Sequence, residues 1–227
     1  MVMHKIILPS IFQPFECYNI SRLGKEYDGG YIVSLNDVIK TKKLISFGIG
    51  TDWSFERDFI KYKDCELDAY DNSVQPNDEY NKFFSGKNKH IKQNVGKELT
   101  VSEILKREED VFLKCDIEGD EYLLLKDIIN KSHKITGMII EFHEITKPNN
   151  FDALTNFISK VHHKLIHTHV NNYFYYKTEN GNIPDILELS FSSSLLRIYN
   201  PNLKLPHNLD MPNNPHDSEF EINFIDK

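Results

Sequence analysis

Short apolar runs alternate with longer stretches of helical period from Leu44 to Phe191. Leu44 to Phe47 reads as a buried parallel strand that breaks at Gly48-Ile-Gly50, and an amphipathic helix begins with Phe55-Glu-Arg-Asp-Phe-Ile. Glu66 to Tyr70 predicts a second strand, ending at Asp71. Gln75 to Lys89 is polar and irregular, and His90 to Val95 is the candidate third strand. Val101 to Arg107 predicts a short helix and Val111 to Cys115 a fourth strand. A helix over Tyr122 to Ile129 follows, with Asp120 and Glu121 suited to its N-terminus, and then a fifth strand over Gly137 to Glu144. Between Pro148 and Lys164, the residues Phe151, Leu154, Phe157, Ile158 and Val161 form a core-facing helical stripe. Lys164 to His169 and Ile186 to Phe191 complete the set as sixth and seventh strands. This alternation predicts an α/β fold, a doubly wound, mostly parallel seven-stranded sheet. The last two strands have no helix between them, which predicts an antiparallel strand at the edge.

Outside this repeat the pattern changes. Residues 1–20 are an apolar lead-in with Pro9 and Pro14, read as an arm or a short helix packed on the domain. Asp28-Gly29-Gly30 is a turn signal and Tyr31-Ile-Val starts a strand. The segment is either a hairpin tip or a polar clamp that places Arg22, Asp28 and Tyr31 beside a ligand; spacing alone favours the hairpin. From Pro201 the chain is rich in Pro and Asn, a lid, an arm to a partner subunit of a homodimer, or a partly disordered tail. The expected organisation is therefore residues 1–40 as an arm and Asp-Gly-Gly segment, 41–200 as the main domain and 201–227 as the tail.

Charge and cysteine content narrow the function. The 227 residues carry a formal charge of −7. With no broad basic face, nucleic acid is not an expected partner. Cys17, Cys65 and Cys115 are odd in number, widely spaced and set among apolar residues, as reduced core thiols would be. The apolar run near the N-terminus is broken by Pro9 and is too short for a signal peptide, and no segment is long enough to span a bilayer. A cytoplasmic protein is expected.

A strand, a glycine turn and a helix form the first half of a nucleotide-type site, because glycine lets backbone approach a ligand closely. Asp71 lies at the distance expected of an acid that grips a ribose. Trp53 stands where a dinucleotide fingerprint wants its third glycine. That argues against a pyrophosphate and leaves room for an adenosine ligand carrying an amino acid, S-adenosylmethionine. Polar residues two apart then close three strands: Asp116 and Glu118, Glu141 and His143, and His167, His169 and Asn171. A spacing of two puts each set on one face, and strands ~4.8 Å apart let the sets converge. Alternatives stay open for each. Asp116 to Asp120 could be a turn and helix cap, and His143 a core histidine bonded to Glu141. His162 and His163 read as helical surface residues and His167 as structural. Glu188, alone in an apolar strand, needs a partner such as His169 or Asn172.

Asp116-Ile-Glu-Gly-Asp-Glu121 after an apolar strand resembles the Asp-Ile-Glu-Gly signature of the FkbM family of S-adenosylmethionine-dependent O-methyltransferases. Arg22 with Asp28-Gly-Gly-Tyr31, Phe47-Gly-Ile-Gly50 with Ser54-Phe-Glu56, Glu141-Phe-His143, and His169-x-Asn-Asn172 with Pro184 and Glu188 resemble a bacterial subgroup of that family. The resemblance implies a Rossmann-like methyltransferase fold and methylation of hydroxyls on sugars or natural products, often in capsule or surface-glycan biosynthesis. The first glycine turn is shorter than the commoner Gly-x-Gly-x-Gly, and the tail has no counterpart. On this reading Phe47, Gly48, Gly50, Asp71, Asn72, Asp116 and Arg22 meet the donor. His143 is the base, oriented by Glu141 or a neighbouring carboxylate, with Asp116 beside it. Glu118, His169, Asn171, Asn172 and Glu188 hold a sugar or sugar-nucleotide acceptor. Asp116, Glu141 and His143 also suit a divalent metal, and the sequence leaves metal and histidine base as alternatives. An NAD-dependent sugar oxidoreductase and a non-catalytic glycan-binding module are the rival functions.

Overall fold

The structure, a computed structural model, describes residues 4–178, 181–194 and 197–225; the ends of the lead-in and tail lie outside these residues. Seven strands make the main sheet: β1 (Lys43–Phe47), β2 (Glu66–Tyr70), β3 (Asn88–Ile91), β4 (Val111–Cys115), β5 (Ile135–Phe142), β6 (Lys164–Val170) and β7 (Leu187–Ser192). Their order is β3-β2-β1-β4-β5-β7-β6. All neighbours are parallel except β7, which runs antiparallel to both β5 and β6. The antiparallel pair is thus at the sheet's edge, as expected, with the reversed strand inside the outermost one. Every residue of β1, β4 and β5 is buried, which is why these strands read as continuous apolar runs.

Among the described residues six α-helices accompany the strands: α1 (Leu35–Lys40), α2 (Ser54–Tyr62), α3 (Asp78–Phe83), α4 (Val101–Ile104), α5 (Leu125–Lys131) and α6 (Pro148–Lys160). Val38 of α1 and Phe55 and Phe59 of α2 pack in one apolar cluster; Val101 of α4, Leu125 and Ile128 of α5 and Leu154 and Phe157 of α6 belong to another. The sheet is therefore covered on both faces. Pro148 occupies the first turn of α6, where its missing N–H costs nothing.

Two local expectations are corrected. The third strand lies earlier than His90–Val95, because Asn88 to Ile91 pair with Leu67 to Tyr70 and the chain then leaves the sheet. The lead-in begins with a strand that the pattern did not predict, His4–Pro9, paired in parallel with Phe220–Ile225 from the tail; the short helix expected there is a single 3-10 turn, Ser10–Phe12, with Phe12 buried in the core. Phe220 is buried with its ring 4.9 Å from that of Tyr175, so the described part of the tail is docked on the body. Cys17, Cys65 and Cys115 are buried. Among the described residues no helix is long and apolar enough to cross a membrane.

From β1 the chain winds outward through β2 and β3, and from β4 it winds the other way through β5. The crevice beyond the carboxyl ends of β1 and β4 is the switch point at which open α/β sheets bind ligands.

Candidate active site

The first wall of that crevice is the loop after β1. Gly48 has φ +73°, and a Cβ there would lie 1.7 Å from the carbonyl oxygen of Asp116. Glycine thus lets the ends of β1 and β4 touch, where the Asp116 amide donates to the Phe47 carbonyl at 2.9 Å. Gly50, at φ +49°, would have nothing within 4 Å of a Cβ, so its backbone is open to the cleft. The Phe47 side chain is buried against Tyr70 instead. Asp71 ties the loop down. Its Oδ2 accepts from the amides of Ile49 and Gly50 at 2.9 and 2.8 Å, and its Oδ1 from the amide and hydroxyl of Ser73 at 2.7 and 2.6 Å. Burial alone would raise its pKa, but these donors outweigh it and hold the carboxyl below its ordinary value. Asp71 and Asn72 both line the cleft, with the Asp71 oxygens committed to the loop.

The cleft has a volume of about 480 Å³. Its charged lining is acidic: Asp28, Asp52, Glu56, Asp71, Asp116, Glu118 and Asp120 against Lys25 and Lys114. Both lysines are already paired, Lys25 with Asp52 at 2.9 Å and Lys114 with Asp116 at 3.5 Å. Asp52 Oδ1 also accepts from the Ser54 amide at 3.0 Å, which places a carboxylate at the N-terminus of α2. A dinucleotide would need that helix end for its pyrophosphate. Trp53, packed against Tyr80 and Phe84, fills the position of the missing glycine. The charged lining is thus mainly negative, and the end of α2 already holds a carboxylate.

A hairpin of Ile20–Leu23 with Tyr31–Ser34 supplies the roof. Both sequence readings of this segment meet here, since the hairpin also brings Lys25, Asp28, Gly29 and Tyr31 to the cleft. Arg22 does not follow. Its guanidinium donates to the carbonyls of Lys25 and Tyr27, bracing the loop from behind, and it lines a separate small cavity beside Glu188 and Asp210.

Beyond Asp116 the acids and imidazole converge. The Tyr31 hydroxyl lies 3.2 Å from both Asp116 Oδ2 and Glu141 Oε2, and one phenolic proton cannot serve both. Burial first, then the charges of Asp116 and Glu188, push the Glu141 pKa well above its ordinary value. A protonated Glu141 donating to Tyr31, which donates to Asp116, satisfies the chain. Asn171 donates to the other Glu141 oxygen at 2.9 Å. His143 Nδ1 lies 3.0 Å from Glu121 Oε1, and its Nε2 lies 3.4 Å from Glu118 and 3.8 Å from Glu141. Of the orienting partners expected for His143, Glu141 or a neighbouring carboxylate, the structure shows the neighbour, Glu121, which is wholly buried and also accepts from the amides of Ile117 and Gly119. Burial would lower the His143 pKa, but the bond and charge of Glu121, with Asp116 and Glu118, outweigh it and raise the value.

Lys114 is a site residue that sequence reasoning passed over. It is buried, donates to the Gly48 carbonyl and stands over the Tyr31 ring at 5.9 Å. Desolvation opposes its charge, yet Asp116 and Glu56 overcome that and raise its pKa. A lysine inside an otherwise apolar five-residue strand was the available signal.

The residues expected at the acceptor divide. Glu118 is at the cleft, while His169, Asn171, Asn172 and Glu188 are buried and bonded within the protein. His169 sits between Glu188 Oε2 at 2.9 Å and Glu219 Oε1 at 3.2 Å. Burial alone would lower its pKa, but the two carboxylates raise it well above the ordinary value. Glu188 also accepts from Asn213 at 2.6 Å, and Asn172 exchanges bonds with the Asn214 backbone at 3.2 and 2.7 Å. His167 pairs with Asp210 at 2.8 Å. These side chains dock the tail on the sheet instead of facing the cleft. His163 is likewise corrected: α6 ends at Lys160, and His163 is buried 2.8 Å from the Ile135 carbonyl oxygen.

The sequence matches no protein-family model and no curated protein. Several solved structures show a weak similarity to the chain. A putative hemolysin from Streptococcus thermophilus is 11% identical over 71% of this chain and 68% of its own, with a TM-score of 0.44. A fibrillarin/Nop5p complex is 9% identical over 83% and 99%, at 0.44, and the N-methyltransferase NodS from Bradyrhizobium japonicum WM9 is 9% identical over 70% and 90%, at 0.40. At this distance the chemistry of the site rests on its own residues.

Proposed function

We propose that the cleft binds S-adenosylmethionine and that the chain methylates a hydroxyl of a sugar or sugar nucleotide. The observation that carries this reading is an acidic cleft at the switch point whose helix N-terminus is already capped by Asp52. Such a cleft suits a ligand bearing a sulfonium and an ammonium, and it is unfavourable for NAD. The open backbone at Gly50 would pass the donor's amino acid portion, and Asn72 beside Asp71 would meet its ribose. The donor supplies an electrophilic methyl group, so the protein's work is largely positioning. His143, held by Glu121, is the residue on which activation of the acceptor hydroxyl depends, and Glu141 and Tyr31 set the orientation of Asp116. The motif resemblance to the FkbM family supports a sugar acceptor and a role in bacterial surface-glycan synthesis.

Thermal-shift titration with S-adenosylmethionine, S-adenosylhomocysteine and NAD tests the donor. Stabilisation of roughly 2.7 kcal/mol is expected at a hundredfold excess over Kd for the sulfur ligands alone. A shift with NAD alone would favour an oxidoreductase. No shift with any donor would favour a glycan-binding module. Methyl uptake across a panel of nucleotide sugars then tests the acceptor.

A further inference from the structure

We propose that Asp116, Glu118 and His143 form a site for one hard divalent cation, Mg²⁺ or Mn²⁺, at which hydroxyls of the acceptor complete the coordination. Each residue offers one donor atom, and the three atoms lie within 4.8 Å of one another. Two carboxylate oxygens and an imidazole nitrogen are the donor set that such ions accept.

The orientation of His143 is what separates this cluster from a chance gathering of acids. Its Nδ1 is taken by buried Glu121 at 3.0 Å, which leaves Nε2 as the nitrogen facing Glu118 at 3.4 Å. A carboxylate behind the far nitrogen is the usual support of a metal-bound histidine. Glu121 is itself aligned by the Ile117 and Gly119 amides, and its Oε2 is buried with no hydrogen-bond partner among the described residues. Asp116 is held by the Tyr31 hydroxyl and by Lys114. The Glu118 side chain is 86% exposed and can close onto an ion. An octahedral ion at ~2.1 Å from its ligands places neighbouring donors about 3 Å apart, close to the spacing of Glu118 and His143. Glu141, the ligand expected from sequence in place of Glu118, is occupied by Asn171 and Tyr31.

Three protein ligands leave about three positions open, enough for adjacent hydroxyls of a sugar to bind as a chelate. Coordination would make such a hydroxyl more acidic. The hydroxyl part of the proposal rests on the methyltransferase reading; the cation site does not.

The test is Mn²⁺ binding to the full chain, followed by electron paramagnetic resonance without donor or acceptor. One site is expected in the wild type. Glu118→Gln and His143→Gln should each weaken it roughly tenfold or more. Glu118→Gln alters an exposed side chain, so a folding defect would not mask its result. Absence of a bound Mn²⁺ signal, or unchanged binding in both Glu118→Gln and His143→Gln, overturns the site. Mn²⁺ binding without a S-adenosylhomocysteine thermal shift keeps the site and removes the methyltransferase reading; the opposite pair of results does the reverse.

Discussion

Gly48 and Asp116 pass so close at the ends of two adjacent strands that a side chain on the first would collide with the backbone of the second. A Cβ at Gly48 would stand 1.7 Å from the Asp116 carbonyl oxygen, and the φ of +73° is itself unfavourable for other residues. Gly48→Ala is expected to destabilise the protein by about 2–4 kcal/mol, from overpacking and left-handed backbone together. Urea denaturation measures the loss. A midpoint equal to wild type would show that the two loops can separate freely.

Asp71 accepts four hydrogen bonds from the glycine loop and from Ser73. In Asp71→Asn one oxygen becomes an amide donor, and at least one of these pairs is lost, at a cost of about 1–3 kcal/mol. Hydrogen exchange should show faster exchange at Ile49, Gly50 or Ser73, with weaker binding of S-adenosylhomocysteine. Unchanged protection at all three amides would show that Asp71 does not hold the loop.

Asp37 on α1 is buried, with Ser192 and Ser193 donating to it, and burial raises its pKa to about 6. The native state therefore keeps a proton that the unfolded chain has lost between about pH 4 and pH 6. Stability from this group is present below that window and falls as pH rises through it, by about 3 kcal/mol in total. The difference in stability between wild type and Asp37→Asn should follow that slope between pH 4 and 6.5 and level off above. A flat difference would show that Asp37 titrates normally.

Asp210 behaves in the opposite sense. Burial would raise its pKa, but the charge and hydrogen bond of His167 outweigh this and bring it down to about 2. Its contribution, about 2 kcal/mol, is complete above pH 4 and is lost as the pH falls toward 2. Asp210→Asn should remove this acid-sensitive component and speed proteolysis between residues 201 and 219. Equal cleavage rates at pH 7 would show that the pair does not hold the tail.

The parallel strands, the helices and the position of the glycine turn were legible because each is a local pattern: apolar runs buried on both faces, and helical stripes. Asp116, Glu118 and His143 were named from sequence together with Glu141, His167, His169 and Asn171, on the argument that a spacing of two shares a strand face; β4 ends at Cys115 and β5 at Phe142, so it is the loops after the strands that bring the three together. Lys114 and Glu121 were harder to see. Their roles depend on Gly48 and His143, which lie far along the chain, and a lysine or glutamate beside apolar residues looks the same whether it is paired or merely tolerated.

The order of residues alone determined the layered α/β architecture, the switch-point crevice and the unsuitability of the glycine turn for a pyrophosphate, because these follow from periodicity and from Trp53 at one position. Tertiary contact decided which polar residues face the cleft. His169, Asn172 and Glu188 end on apolar strands just as His143 does, yet Asn213, Asn214 and Glu219 return from the far end of the chain to occupy them. A buried ionisable group must find a partner, and only the folded chain determines whether that partner is another part of the protein or a ligand.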